Sequence, residues 1–272
     1  MRKALFGGVN DAHEIEQALG MTVYASIPFS KEQATLHQQM LSRSSKISVL
    51  AHIDPTSMAI ESLRSLRTSL QFSMLDAKNN IVVITGPTPG LGKSFVSVNF
   101  ATVLGLTGKK VLLVDADLRK GHLNQYLGFD RKNGFSDLVA GSCSMETALH
   151  KNVMANVDFI STGSLPPNPS ELLLKENTKT LLEQFSETYD YVLIDTPPIL
   201  AVSDTMILAP FAGAVFMVAR AAQTTIGDIK ETVKRCSQAG IPVNGIILNG
   251  VMQRPGGYGY GYGKYRYIEY NY

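Results

Sequence analysis

The chain has 272 residues, 44% of them apolar, and a formal charge of +2 at pH 7. That suits one large α/β domain or two small ones, and it leaves no whole-molecule field to attract nucleic acid or an acidic polymer. The apolar runs 81–85, 111–114 and 212–219 fall short of the roughly 18–20 residues that span a bilayer, the basic start lacks the apolar core of a secretory signal, and Cys143 and Cys236 lack the spacing of a metal or redox pair.

No period of about 20–50 residues repeats, so solenoids and propellers are set aside. The first 55 residues read as an N-terminal appendage or juxtamembrane segment packed on the main domain, or else as a linker from something upstream. In it Asp11–Leu19 predicts a short helix, Thr22–Pro28 a strand stopped by proline, and Ser30–Ser48 a polar, Gln- and Ser-rich connection. Residues 56–254 then alternate. Short β-rich runs at Ile81–Thr85, Val111–Val114, Val157–Ile160, Tyr191–Ile194, Ala214–Val218 and Gly245–Leu248 suit strands buried on both faces. Helix-like segments lie between most of them: Lys93–Leu106, Ser170–Glu187, and Thr224–Ala239 with Ile226, Ile229, Val233 and Cys236 sharing one face. Gly108, Gly240 and Pro242 stand where helices should stop. This order predicts a doubly wound, mainly parallel α/β sheet with ligand at the carboxyl ends of its strands.

The stretch from Ile81 to Phe95 reads as strand, glycine-rich loop and helix, the context a phosphate-binding loop needs. Gly90, Leu91 and Gly92 let backbone N–H groups turn toward phosphate oxygens. The helix from Lys93 through Ser94 and Phe95 adds its positive end, with Lys93 as cation and Ser94 as a Mg²⁺ ligand. The loop is a variant, since its first glycine is Gly86 where the strict pattern expects one at Pro87. Two further strands end in acids: Val111–Val114 runs into Asp115 and Asp117, and Tyr191–Ile194 into Asp195, where a Mg²⁺-orienting aspartate is expected. One acid of the pair could instead pair with Arg119 or Lys120. Asn249, after the last strand, is either an adenine contact or a turn residue before Gly250.

Glu61, Arg64 and Arg67 share nearly one helix face, either as a solvated surface or as a contact surface. At the other end, seven of the eleven tyrosines fall in the last fifteen residues: Tyr258, Tyr260, Tyr262, Tyr265, Tyr267, Tyr270 and Tyr272. Glycines separate the first four of these rings, so residues 255–272 are expected to form a flexible tail of accessible phenols.

The paired-aspartate strand Val111–Arg119, the Leu193–Pro198 element and the altered loop resemble the bacterial tyrosine kinases, relatives of the MinD and ParA ATPases. The E-x-x-R-x-x-R helix of Glu61, Arg64 and Arg67, the segment Pro167–Leu173 and the tyrosine cluster narrow the resemblance to Wzc-type kinases of capsule and exopolysaccharide export, from about Val23 onward. The resemblance implies an ATP- and Mg²⁺-dependent autokinase that modifies its own tail tyrosines. Lys93, Asp115, Asp117 and Asp195 would be its catalytic residues, with Asp115 on the tyrosine proton and Asp117 beside Ser94 and Asp195 on the metal side, an order the sequence does not secure. It further implies a homo-oligomeric ring, an octamer, joined through Glu61, Arg64 and Arg67. The implied partners are a cognate tyrosine phosphatase and the polysaccharide polymerisation and export machinery at the cytoplasmic face of the inner membrane. In proteobacterial members such a domain follows two membrane helices and a periplasmic domain. One departure is His122, where several members carry a regulatory tyrosine; Tyr126 lies four residues on. Against a MinD- or ParA-like positioning ATPase stands Thr88, where those proteins carry an extra lysine. Against a module stacking its tail on nucleic acid or carbohydrate stands the thin support of Lys264 and Arg266.

Overall fold

A computed structural model describes residues 7–41 and 47–252; the tyrosine cluster and its expected flexibility lie outside the described residues. Among the described residues eight strands are present: β1 (Val23–Pro28), β2 (Ile81–Thr85), β3 (Val111–Asp115), β4 (Leu149–Met154), β5 (Val157–Ile160), β6 (Tyr191–Asp195), β7 (Ala214–Arg220) and β8 (Gly245–Val251). They form one sheet in the order β1-β8-β7-β2-β6-β3-β5-β4. Every neighbouring pair is parallel except β4 with β5.

Both faces of the central strands are covered, which is why they read as continuous apolar runs. Side chains alternate between the faces. Val82, Ile84, Val111, Leu113 and Phe216 pack with Phe100 and with Leu63 and Leu66 of the helix Met58–Ser73 on one side. Ile81, Val83, Leu112, Val114 and Val215 pack with Phe135, Leu182 and Phe185 on the other. Phe100 is fully buried, so Phe100→Ala would cost about 3–5 kcal/mol. The helix Lys93–Gly105, buried along nearly its whole length, lies on the first of these faces and leaves the loop after β2.

Three local outcomes differ from the sequence reading. Within the polar segment Ser30–Ser48, Lys31–Leu41 is a helix. Its buried anchors are Leu36 and Met40, a single i, i+4 pair too sparse to register as periodicity. The segment before it is built into the sheet, because β1 pairs in parallel with β8 through Ala25 and Ile247. The edge strand β4 carries no clear apolar signal, since only Met154 is buried and Lys151 and Asn152 are exposed; left-handed residues Asn152 (φ 51°) and Asn156 (φ 58°) shape its hairpin with β5. The segment Ser170–Glu187 divides into Pro169–Leu173 and Glu176–Thr188, because Lys175 adopts an extended ψ of 143°.

Elsewhere the expected elements formed. Asp11 caps the helix Ala12–Leu19 by accepting the Glu14 N–H at 3.0 Å. The helix Ile226–Gln238 buries Ile229 and Cys236, with Ile226 and Val233 partly buried beside them, and starts in a Thr225–Asp228 capping box. Cys143 and Cys236 are free thiols. Among the described residues no helix is long and apolar enough to cross a membrane.

Candidate functional site

Strand register brings the acids together. Asp115 and Asp195 are direct partners at the carboxyl ends of adjacent β3 and β6, and Asp195 also faces Ile84 of β2, the strand that leads into the glycine-rich loop. The loop lies tightly against its surroundings. A Cβ at Gly86 would stand 2.7 Å from the Val218 carbonyl oxygen of β7, so the displaced first glycine is required by close backbone approach. Gly92 adopts φ +88°, and a Cβ there would stand 2.2 Å from Asn249 Nδ2.

Asp195 is buried and accepts two hydroxyl contacts, from Ser94 at 2.7 Å and from Ser97 at 2.9 Å. Burial raises its carboxyl above the ordinary range, opposed by the Lys93 charge and the two serine hydroxyls. Asp115 is fully buried and pushed up to about 7, first by desolvation and then by the nearby Asp195 charge. Its Oδ2 accepts the Leu123 N–H at 2.9 Å. A carboxyl poised near neutrality can accept a proton at physiological pH. Asp117 is half-buried, and its Oδ1 accepts the N–H groups of Arg119 at 3.2 Å and Lys120 at 2.9 Å. The Arg119 side chain forms its ion pair with Asp204, at 2.8 Å, rather than with either aspartate of the pair.

Beside these groups opens a cavity of about 450 Å³. Gly90, Gly92, Lys93, Ser94 and Phe95 form one wall, and Arg220, Asn249 and Gly250 at the ends of β7 and β8 form another. Pro28 and Phe29 after β1 and Gln33, His37 and Gln38 of the helix Lys31–Leu41 close a third side. Asn249 donates its side-chain N–H to the Leu91 carbonyl at 2.9 Å, tying the loop to β8. His122 and Tyr126 also line this cavity, their rings 6.1 Å apart. Tyr126 is 4% exposed and its hydroxyl is held above the ordinary phenol range by burial, so it is a wall residue here.

The geometry thus gathers Gly90, Gly92, Lys93, Ser94, Phe95 and Asn249 around one cavity with Asp195 behind Ser94, Leu91 buried beneath the loop, and Asp115 and Asp117 on the neighbouring strand end. Glu61, Arg64 and Arg67 lie outside the cavity lining. Arg64 is engaged within its own chain, pairing with Glu61 at 2.7 Å and donating to the Pro55 carbonyl at 2.6 Å. Sequence reasoning missed Ser97 and the wall from Pro28 to Gln38. The first carried a signal, since Ser97 follows Ser94 by one helical turn; the second carried none.

The oxygen set fits Mg²⁺. Among the described residues no three His, Cys, Asp or Glu side chains cluster to hold a metal, whereas Mg²⁺ ordinarily takes one or two carboxylates or a hydroxyl together with water and phosphate oxygens. The Ser94 hydroxyl beside the Asp195 carboxylate, with Lys93 the nearby cation, supplies such a partial set.

Residues 79–239 match the family described as AAA domain. Over its full length the chain is 51% identical to a putative tyrosine-protein kinase EpsB of Ralstonia solanacearum and spans 36% of that relative. The structure superposes on the kinase domain of Escherichia coli tyrosine kinase ETK with TM-score 0.84 and 39% identity, covering 94% of this chain and 100% of that domain. The septum site-determining protein MinD of Pyrococcus horikoshii, solved with Mg-ADP, matches 62% of this chain and 69% of its own with TM-score 0.54 and 26% identity.

Proposed function

Because the chain belongs to the Wzc-type bacterial tyrosine kinases, we propose that it is an ATP- and Mg²⁺-dependent autokinase that phosphorylates its own C-terminal tyrosines. The observation that carries this reading is the convergence of Asp115 and Asp195, paired in register, beside a loop whose Ser94 donates to Asp195. In this reading the cavity takes ATP, with phosphates toward the loop amides and Lys93, and the base toward Asn249 and the wall from Phe29 to Gln38. Asn249 acts at least through the loop, because its N–H is already donated to the Leu91 carbonyl.

Transfer then divides among the side chains. Lys93 and the loop amides hold the β- and γ-phosphates. Asp115 takes the phenol proton of an incoming tyrosine as its oxygen bonds to the γ-phosphorus and the bond to the leaving ADP oxygen breaks. Ser94 and Asp195, with Asp117 on the metal side, would hold Mg²⁺, which when bound would neutralise developing phosphate charge. Acceptors are Tyr258, Tyr260, Tyr262, Tyr265, Tyr267, Tyr270 and Tyr272 of a neighbouring copy, within a homo-oligomeric ring, an octamer, assembled through Glu61, Arg64 and Arg67. The exposed positions of Glu61 and, in part, Arg64 are compatible with exchanging their mutual pair for one across an interface. The domain sits at the cytoplasmic face of the inner membrane and regulates capsular or extracellular polysaccharide polymerisation and export, with a cognate phosphatase resetting it. Each added phosphate brings about −1.5 to −2 charges, so a fully modified tail would repel its neighbours and loosen the ring.

Incubating the purified chain with ATP and Mg²⁺ and probing for phosphotyrosine tests the reading. Tail phosphorylation is expected in the wild type and absent in Lys93→Met. Equal phosphorylation of both proteins, with no other kinase present, would overturn it.

A further inference from the structure

The segment Pro167–Leu173 has no part in the chemistry above, yet it touches the loop that carries Asp117. Three chain segments meet there. Arg119, two residues beyond Asp117, presents a bidentate fork to Asp204, Nε to Oδ2 at 2.8 Å and Nη2 to Oδ1 at 3.0 Å. Ser170, in the short helix Pro169–Leu173, donates to the same Asp204 Oδ1 at 2.6 Å and accepts from Arg119 Nη2 at 3.2 Å. Asp204 opens the helix Asp204–Leu208 and is fully buried. Burial opposes its ionisation, yet Arg119 and Ser170 hold its carboxyl below the ordinary range.

On the other side, the loop has little slack. The Asp117 carbonyl accepts the Gly121 N–H at 2.7 Å, and its carboxylate accepts the Arg119 and Lys120 N–H groups. A Cβ at Gly121 would stand 1.9 Å from Thr162 Oγ1, so the turn lies against the end of β5. A displacement of Arg119 therefore reaches Asp117 through a closed turn of backbone hydrogen bonds.

We propose that Arg119, clamped by Asp204 and Ser170, is a positioning residue that sets where the Asp117 carboxylate stands during phosphoryl transfer. The short helix Pro169–Leu173 braces the paired-aspartate loop through Ser170. This rests on the reading of Asp117 as a metal-side carboxylate. A planar guanidinium is required, because a lysine keeps the charge but loses the fork. Structural need alone would be met by replacing both partners with apolar residues, since Asp204 is the buried member, Arg119 is partly exposed, and the double replacement leaves no buried charge unpaired.

The test measures transfer from ATP by the 272-residue chain to a peptide of residues 255–272, with fluorescent-nucleotide affinity and Tm read in parallel. Arg119→Lys is expected to lower kcat roughly 10- to 100-fold, as a small misplacement of a catalytic group does, with peptide KM and nucleotide affinity within about twofold. Arg119→Met combined with Asp204→Leu is expected to keep Tm while leaving kcat equally low. Ser170→Ala, which leaves the fork in place, should lower kcat only about twofold. Wild-type kcat in Arg119→Lys overturns the proposal, as does restored kcat in the paired apolar variant; if the latter does not fold, Arg119→Lys decides. Asp117→Asn separates the two readings. Full activity there removes the role of Asp117 and this inference with it, whereas loss there beside an unimpaired Arg119→Lys overturns the positioning role alone.

Discussion

The two ends of the cavity are built on different principles. At the phosphate end, Gly90 to Phe95 are contiguous in sequence, and the acids behind them sit on adjacent strands in register. Backbone geometry and strand pairing dictate that end, and they give Ser94 a fixed partner in Asp195. At the far end, Phe29 after β1, Gln33 and His37 of the helix Lys31–Leu41, Arg220 of β7 and Asn249 of β8 meet only because β1 pairs with β8 and β8 with β7. Catalytic rate should be sensitive to the first end, and nucleotide affinity to the second.

Asp115→Asn is the largest expected separation of the two. Loss of the proton acceptor should lower transfer about 10²- to 10⁴-fold while nucleotide affinity stays within roughly threefold. In the wild type, kcat/KM should rise with pH through about 7 as the Asp115 carboxyl ionises, and this limb should vanish in the variant. A pH-independent wild-type profile would remove Asp115 from the proton step.

The same variant carries a stability signature of fixed sign. The Asp115 carboxyl is raised in the folded chain from 3.8 to about 7. A raised carboxyl favours folding where it is protonated, so its contribution is complete below the lower value and lost as pH rises through the upper one. Asp115→Asn should therefore gain Tm relative to wild type as pH increases. The excess should be roughly 5 °C near pH 8 and close to zero near pH 4, read by calorimetry.

Asn249→Ala tests the join between the two ends. It removes the N–H that ties the Leu91 carbonyl to β8, so nucleotide affinity should fall roughly tenfold by fluorescence titration. A comparable loss of kcat at saturating nucleotide would mean that the two ends do not act separately. The smallest effect belongs to the helix Lys31–Leu41, where His37→Ala and Gln38→Ala remove exposed wall residues and should weaken affinity about two- to threefold. Unchanged affinity in both would confine the base to the β8 side.

The phosphate end is legible in the amino-acid sequence because its chemistry is local. Glycines at 90 and 92, then Lys93 and Ser94, announce a strand-to-helix turn that only a few backbone conformations can satisfy. The strand-end positions of Asp115 and Asp195 follow from apolar runs that stop at a charge. The helix Lys31–Leu41 is not legible, since Leu36 and Met40 are too few apolar positions to set a period, and the Arg119–Asp204–Ser170 cluster joins residues 34 to 85 positions apart. In sequence, Arg119 or Lys120 stands only as an alternative partner for one of the paired acids; for Arg119 burial of Asp204 decides otherwise, because an unpaired buried carboxylate is the costlier arrangement.

By itself, then, the sequence determined the parallel α/β architecture and the phosphate-binding loop, since both follow from short-range periodicity and from the conformations that glycine permits. Tertiary structure decided which carboxylate is forced toward neutrality, what Asn249 and Arg119 hold, and which segment walls the far end of the cavity. Those outcomes depend on desolvation and on contacts between distant segments, which no local window of residues contains.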